Sequence, residues 1–251
     1  MTYKFLPLLV LSLMSFAPVF REKGVLENRV TIVDASDNGT DPKLVAENKK
    51  ASFEAKCKSF YTSIDSTSYE LPQYESFTKA FEGYEQLKNQ GKIKNEYLTI
   101  VDFSLSSKED RMWVIDMVNK KVVLQTLVAH GRNSGEDMAT KFSNQSESYQ
   151  SSLGFYITGE TYQGKHGLSL RLDGVEYGIN DNARDRAVVI HGADYVSESF
   201  VKSYGRLGRS QGCPAVSYEV HDKLIELIKD KSCLFIYHPS RNYVVKSKLV
   251  S

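Results

Sequence analysis

The chain has 251 residues, of which 41% are hydrophobic and 25% charged, enough to bury a full core as one main domain. Thirty-two Lys and Arg face 31 Asp and Glu, a formal charge of +1, and no basic tract is long enough to track a phosphate backbone. That balance argues against a nucleic-acid partner.

In chain order, the first twenty residues have the layout of an export signal. Lys4 precedes the apolar run Phe5-Leu6-Pro7-Leu8-Leu9-Val10-Leu11-Ser12-Leu13-Met14-Ser15-Phe16-Ala17, and charge returns at Arg21-Glu22-Lys23. A membrane span needs about 20 apolar residues. The expectation is therefore a signal peptide over residues 1–20 of an exported protein with no stable membrane span, a retained anchor being the alternative. Ser15-Phe16-Ala17 offers a small-x-small cleavage site, and Pro18 behind it leaves the cut position open.

Residues 21–94 read as a linker and helical extension. Phe53, Cys57, Phe60 and Tyr61 recur at spacings of three and four, as do Phe77, Phe81, Tyr84 and Leu87, and Gly91 is placed to end the second helix. From about residue 95 to 251 the texture is that of strands: 97–103, 112–118, 122–128, 154–161, 168–172, 187–190 and 233–237, with a turn at Asn119-Lys120-Lys121. The polar segment from Asn133 to Ser152 reads as a mobile loop. One amphipathic helix is expected after residue 216, with Ser217 as its cap and Val220, Leu224, Leu227 and Ile228 as its apolar stripe. The fold class is thus mainly β, preceded by helices.

Chemistry concentrates at Gly208-Arg209-Ser210-Gln211-Gly212-Cys213-Pro214, with His191 lying 213 − 191 = 22 residues upstream at the end of an apolar strand. A thiol attacks only as thiolate, and an unassisted cysteine with a pKa of about 8.5 is mostly protonated at neutral pH, so a base is needed. Gly212 would let a substrate approach the backbone closely. There are three His-Gly pairs, at His130, His166 and His191, each open to a plain structural reading. Export leaves an odd thiol among three: with Cys213 free, Cys57 and Cys233 are either paired or ordinary buried thiols. No Cys-x-x-Cys, His-Glu-x-x-His or phosphate-loop pattern occurs, and no cofactor is implied.

The run around Cys213, taken with His191-Gly192, resembles the exported L,D-transpeptidase family, whose signature is His-Gly followed by Ser/Thr-x-Gly-Cys. Its Gly-Cys-Pro ending is similar to that of the murein L,D-transpeptidase catalytic-domain-like proteins of Gram-negative bacteria. The likeness covers roughly Tyr97 to Pro239. It implies a β-sandwich-like catalytic domain, a periplasmic location and action on the stem peptides of peptidoglycan. Cys213 would be the nucleophile, His191 its base, and the Gly192 carbonyl the group that orients the imidazole. The implied reaction is acyl transfer through a thioester, either to a second stem amine or to water, with backbone N–H groups at Gly212 and Cys213 as oxyanion donors.

Two departures stand out. Gln211 occupies the position where studied members usually carry histidine, and Ala215 one where they carry arginine or asparagine. Arg209 or Arg206 could replace a displaced positive charge. His166, in Gly164-Lys165-His166-Gly167, and Ser210 are further candidates for lining the site or placing the thiol. Two other readings are a non-catalytic peptidoglycan-binding or envelope scaffold, prompted by Gln211 and Ala215, and a papain-like peptidase, which the short His–Cys separation disfavours.

Overall fold

A computed structural model describes residues 41–250, so the expected export signal over 1–20 and the chain up to residue 40 lie outside the described residues. The chain divides into two units, residues 1–45 and Ala46–Ser251. The first contributes only residues 41–45 to the description, the opening of helix α1 (Pro42–Thr62). Among the described residues no helix is long and apolar enough to cross a membrane.

The second unit is built on one eight-stranded sheet: β1 (Tyr97–Asp102), β2 (Met112–Asp116), β3 (Lys121–Thr126), β4 (Gly154–Gly164), β5 (Gly167–Gly174), β6 (Val189–Gly192), β7 (Ala215–Val216) and β8 (Cys233–Tyr237). Their spatial order is β3-β2-β1-β8-β4-β5-β6-β7. Beyond β3 the chain returns to the far edge, where the Ala129 N–H donates to the Ala215 carbonyl at 2.8 Å, so the sheet is nearly closed on itself. Near-closure covers the edge groups that would otherwise pair with other chains. The strands expected from the sequence are present, and the β2–β3 turn is held by Asp116, whose carboxylate accepts from the Val118 and Asn119 amides.

Helix α2 (Tyr74–Asn89) packs on β1 and β8, burying Phe77, Phe81, Tyr84 and Leu87 in the main core. Fully burying each such side chain contributes about 1.5–3 kcal/mol. Phe60 of α1 meets Phe81 at 5.1 Å between ring centroids, so the aromatic spacings seen in the sequence are the seam between the two helices. Gly91, at φ +69°, ends α2 as expected. Cys57, Cys213 and Cys233 are all free.

Three short elements went unmarked in the sequence: β7, α3 (Glu198–Tyr204) and α5 (Arg241–Lys246). Helix α3 buries no side chain and β7 has two residues, so neither writes an apolar period. Helix α4 (Tyr218–Ile228) has Ser217 at its N-cap, but the hydroxyl makes no capping bond, and the buried face is His221, Leu224, Ile225 and Ile228. The segment 133–152 also differs from the mobile loop expected. It carries no regular structure, yet it is densely hydrogen-bonded: Ser151 donates its amide to Ser134 Oγ, Ser152 Oγ donates to the Ser143 carbonyl, and Asn144 bonds Asp181. Short polar side chains replace an apolar core as its fastening.

Candidate active site

Strand pairing closes the 22-residue gap between His191 and Cys213. Strand β6 runs between β5 and β7, which places His191 opposite Ser169 on one side and Ala215 on the other. The loop leading into β7 is pinned at both ends to the segment after β3. Ser210 donates its amide to the His130 carbonyl at 3.0 Å and accepts from the Arg132 amide at 2.8 Å, while Ala215 pairs with Ala129. Residues 211–214 arch between these anchors and carry Cys213.

Ser210 also organises the arch. Its Oγ donates to the Cys213 carbonyl at 2.6 Å and accepts from the Gly212 N–H at 3.0 Å. That bond commits the Gly212 amide, which sequence reasoning assigned to an oxyanion. Gly212 itself sits at φ +122°, and a Cβ there would stand 2.8 Å from the Gln150 carbonyl, so only glycine fits. Ala215 is fully buried in a small cluster with Ala129, Ala193, Val196 and Leu207.

A cleft of about 830 Å³ opens over this arch. Of the expected residues, Cys213, His191, His166, Ser210, Gln211 and Arg209 line it. Gly192 and Gly212 lie behind as backbone supports. Arg206 is not brought to the cleft: its guanidinium turns to Glu136, at 3.0 Å, and to the Leu207 carbonyl. Arg209 also pairs with Glu136, at 2.7 Å, and donates to the carbonyls of Arg132 and Gly135, so one carboxylate serves both arginines.

His191 Nδ1 is 2.9 Å from the Gly192 carbonyl. A carbonyl only accepts, so Nδ1 carries the proton and Nε2 keeps its lone pair, the tautomer a base requires. Burial holds the imidazole pKa below 6.5, and the neighbouring His166 and Lys165 push the same way. The His166 ring stacks on His191 with centroids 4.5 Å apart. Burial also raises the Cys213 thiol above its ordinary 9.0, opposed by a Val189 backbone hydrogen bond and by the charges of Arg186 and Lys165. The resting cleft thus holds a neutral thiol, which donates to the Ala187 carbonyl at 3.7 Å, and a neutral imidazole on the same lining.

Several contributors carry no sequence signal. Arg186 and Ala187 line the cleft, and Ala187 adopts φ +52°, a left-handed conformation costly for a residue with a Cβ. Beneath the arch, fully buried Arg111 donates through Nη2 to His130 Nδ1 at 2.8 Å and to the Val128 carbonyl at 3.0 Å. A guanidinium only donates, so His130 is the Nε2–H tautomer, facing the Gly135 carbonyl at 3.3 Å. His130 is therefore a structural histidine whose carbonyl holds Ser210. Tyr195 lies over Gly208 and on the cleft wall, its hydroxyl pKa pushed up to about 12 by burial. Among the described residues no group of three or more His, Cys, Asp or Glu side chains is arranged to hold a metal ion.

Fold and cleft together define a mainly-β protein in which a nearly closed sheet presents a free thiol and an oriented imidazole in one open groove. The family model of the L,D-transpeptidase catalytic domain matches residues 69–237, more than half of the chain, and the protein belongs to that family. Among solved structures it is similar to an L,D-transpeptidase from Mycobacterium smegmatis, at 13% identity over 57% of this chain and 59% of that one, TM-score 0.36. It is also similar to a mutant L,D-transpeptidase of Enterococcus faecium, at 16% identity over 58% and 50%, TM-score 0.34. A third likeness is to a mutant of a helical cell shape determining protein from Campylobacter jejuni, at 13% identity over 68% and 58%, TM-score 0.38. The chain spans 50 to 59% of the length of these three. No curated protein matches it.

Proposed function

We propose that this protein is a peptidoglycan-modifying cysteine acyltransferase that acts on stem tetrapeptides. The observation that carries the reading is the register of β6 with β7, which sets His191, its Nε2 free, beside the arch that holds Cys213. His191 Nε2 takes the thiol proton as Cys213 Sγ attacks the carbonyl carbon of the third stem residue. A C–S bond forms, and the carbonyl electron pair moves to oxygen. The Cys213 N–H would then donate to that oxyanion, a contribution of about 3–4 kcal/mol in other acyl-transfer enzymes. Collapse breaks the amide C–N bond, and the imidazolium returns its proton to the departing D-alanine amine. A second stem's amine then resolves the thioester as an L,D-transpeptidase, or water resolves it as an L,D-carboxypeptidase.

Stem peptides lie outside the cytoplasm, which supports an exported, periplasmic protein. The test is intact-protein mass after mixing with a disaccharide-tetrapeptide, alongside Cys213→Ala and with the soluble products identified. A trapped acyl mass and D-alanine released only by the wild type support the reading, and a cross-linked dimer or a trimmed tripeptide assigns transfer or hydrolysis. Equal binding by both forms with no product would move the assignment to a non-catalytic scaffold.

A further inference from the structure

The segment Asp185-Arg186-Ala187 touches both the wall of the cleft and the nucleophile. The Arg186 guanidinium is half-buried and donates to the Ser143 carbonyl at 2.8 Å, the Gln150 carbonyl at 2.7 Å, Ser148 Oγ at 3.3 Å and Ser152 Oγ. These four oxygens span the irregular segment 143–152 from end to end, and all four are neutral. Nη2 also stands 3.4 Å from the point a Cβ on Gly212 would occupy. The next residue, Ala187, holds its left-handed backbone with its carbonyl facing the Cys213 thiol.

We propose that Arg186 is a positioning residue for the nucleophile: it clamps the 143–152 wall against Gly212 and lays an unneutralised positive charge along the backbone that carries Cys213. A planar fork suits this, because one group can bind carbonyls at both ends of a loop while keeping its charge. The inference rests on the reading of Cys213 as the nucleophile. Besides the thiol, the charged or titratable groups lining the cleft are the cations Arg186, Lys165, Arg132 and Arg209, the acids Asp185 and Glu147, the histidines His166 and His191, and the tyrosines Tyr149, Tyr162 and Tyr195. Of these cations Arg186 is the one whose guanidinium hydrogen-bonds the loop at both ends, whereas Arg132 meets it through the face of the Tyr149 ring, 3.9 Å from the centroid. As the thiol loses its proton, the fixed guanidinium offsets the burial that opposes thiolate formation.

The experiment measures the rate of iodoacetamide alkylation at Cys213 against pH, read by mass on the full chain. Cys57 and Cys233 are buried, so Cys213 dominates the signal. In parallel, hydrogen exchange is followed over residues 143–152. Arg186→Gln should slow alkylation at pH 7 about tenfold and speed exchange in the loop. Arg186→Lys should keep the wild-type alkylation profile, since the charge stays, while the loop still exchanges faster because the fork is gone. Unchanged alkylation in a folded Arg186→Gln overturns the electrostatic part, and unchanged exchange in both variants overturns the clamp. If Arg186→Gln does not fold, the wild type is alkylated in 1 M KCl, where the screening length falls to about 3 Å. Slower alkylation there supports the proposal and an unchanged rate overturns it. Failure of the nucleophile reading has a separate signature: Cys213→Ala would still release D-alanine, whatever the alkylation profile.

Discussion

The imidazole of His166 lies over that of His191 with ring centroids 4.5 Å apart and planes inclined by 25°. The two rings come from different places, His166 from the β4–β5 hairpin and His191 from the end of β6. Stacked this closely, a proton on one opposes a proton on the other, so His166 helps keep His191 in its basic form.

The pH dependence follows with its sign. His191 has a pKa below 6.5, so the competent neutral imidazole forms as pH rises through a value under 6.5, and the acid limb of kcat/KM lies there. In His166→Ala that limb moves to higher pH, and kcat/KM at pH 6 falls about two- to threefold. A pH–rate profile of D-alanine release checks this, and an unmoved acid limb would leave His166 as packing only.

Ser210 supports the arch through two bonds of one hydroxyl, to the Cys213 carbonyl and from the Gly212 amide. Ser210→Ala leaves both backbone groups without that partner, at a cost of about 1–3 kcal/mol in urea unfolding. Activity should drop further than stability suggests, by about ten- to a hundredfold, because the thiol loses its register. A variant as active as wild type would show that the turn holds without the hydroxyl.

At Gly212, φ +122° and the nearby Gln150 carbonyl both exclude a Cβ. Gly212→Ala should therefore cost about 1–3 kcal/mol and displace the 143–152 segment that carries Gln150. Denaturation together with hydrogen exchange over that segment tests it, and normal stability with normal exchange would contradict the steric argument.

His130 gives a stability prediction independent of catalysis. Burial and the adjacent Arg111 lower its pKa to about 4, so the folded protein holds it neutral while the unfolded chain protonates near 6.5. Stability is full above pH 6.5 and declines as pH falls toward 4, by about 3 kcal/mol from this group. His130→Gln keeps an acceptor for Arg111 without a titrating proton, and its unfolding free energy should fall less steeply over the same range. Equal slopes for both forms would remove His130 as the cause.

Much of this protein was legible along the chain. Alternating and continuous apolar runs marked the major strands, because a strand with a buried face must repeat apolar residues every one or two positions. The spacings of Phe53, Phe60, Phe77 and Phe81 marked two helices for the same reason at a different period. The Gly-Cys-Pro turn and the upstream His-Gly marked the two residues that the fold brings to one cleft, since the proposed chemistry constrains residue type directly. Other features depended on which segments the fold brings together. The 22-residue gap between His191 and Cys213 closes only through the β6–β7 register, and a two-residue strand writes no pattern. Arg206 and Arg209 look alike in sequence and both pair with Glu136, yet only Arg209 lines the cleft; it also donates to the carbonyls of Arg132 and Gly135, about seventy residues away, whereas Arg206 turns to the Leu207 carbonyl. Arg186 sits in an ordinary polar run, and its place beside the nucleophile exists only because residues 143–152 fold back over it. Sequence by itself determined the fold class and pointed to Cys213 and His191 as candidates, through periodicity and residue type. Tertiary structure alone decided which charges reach the thiol and which backbone amides remain for an oxyanion, because hydrogen bonds between distant segments leave no trace in local spacing.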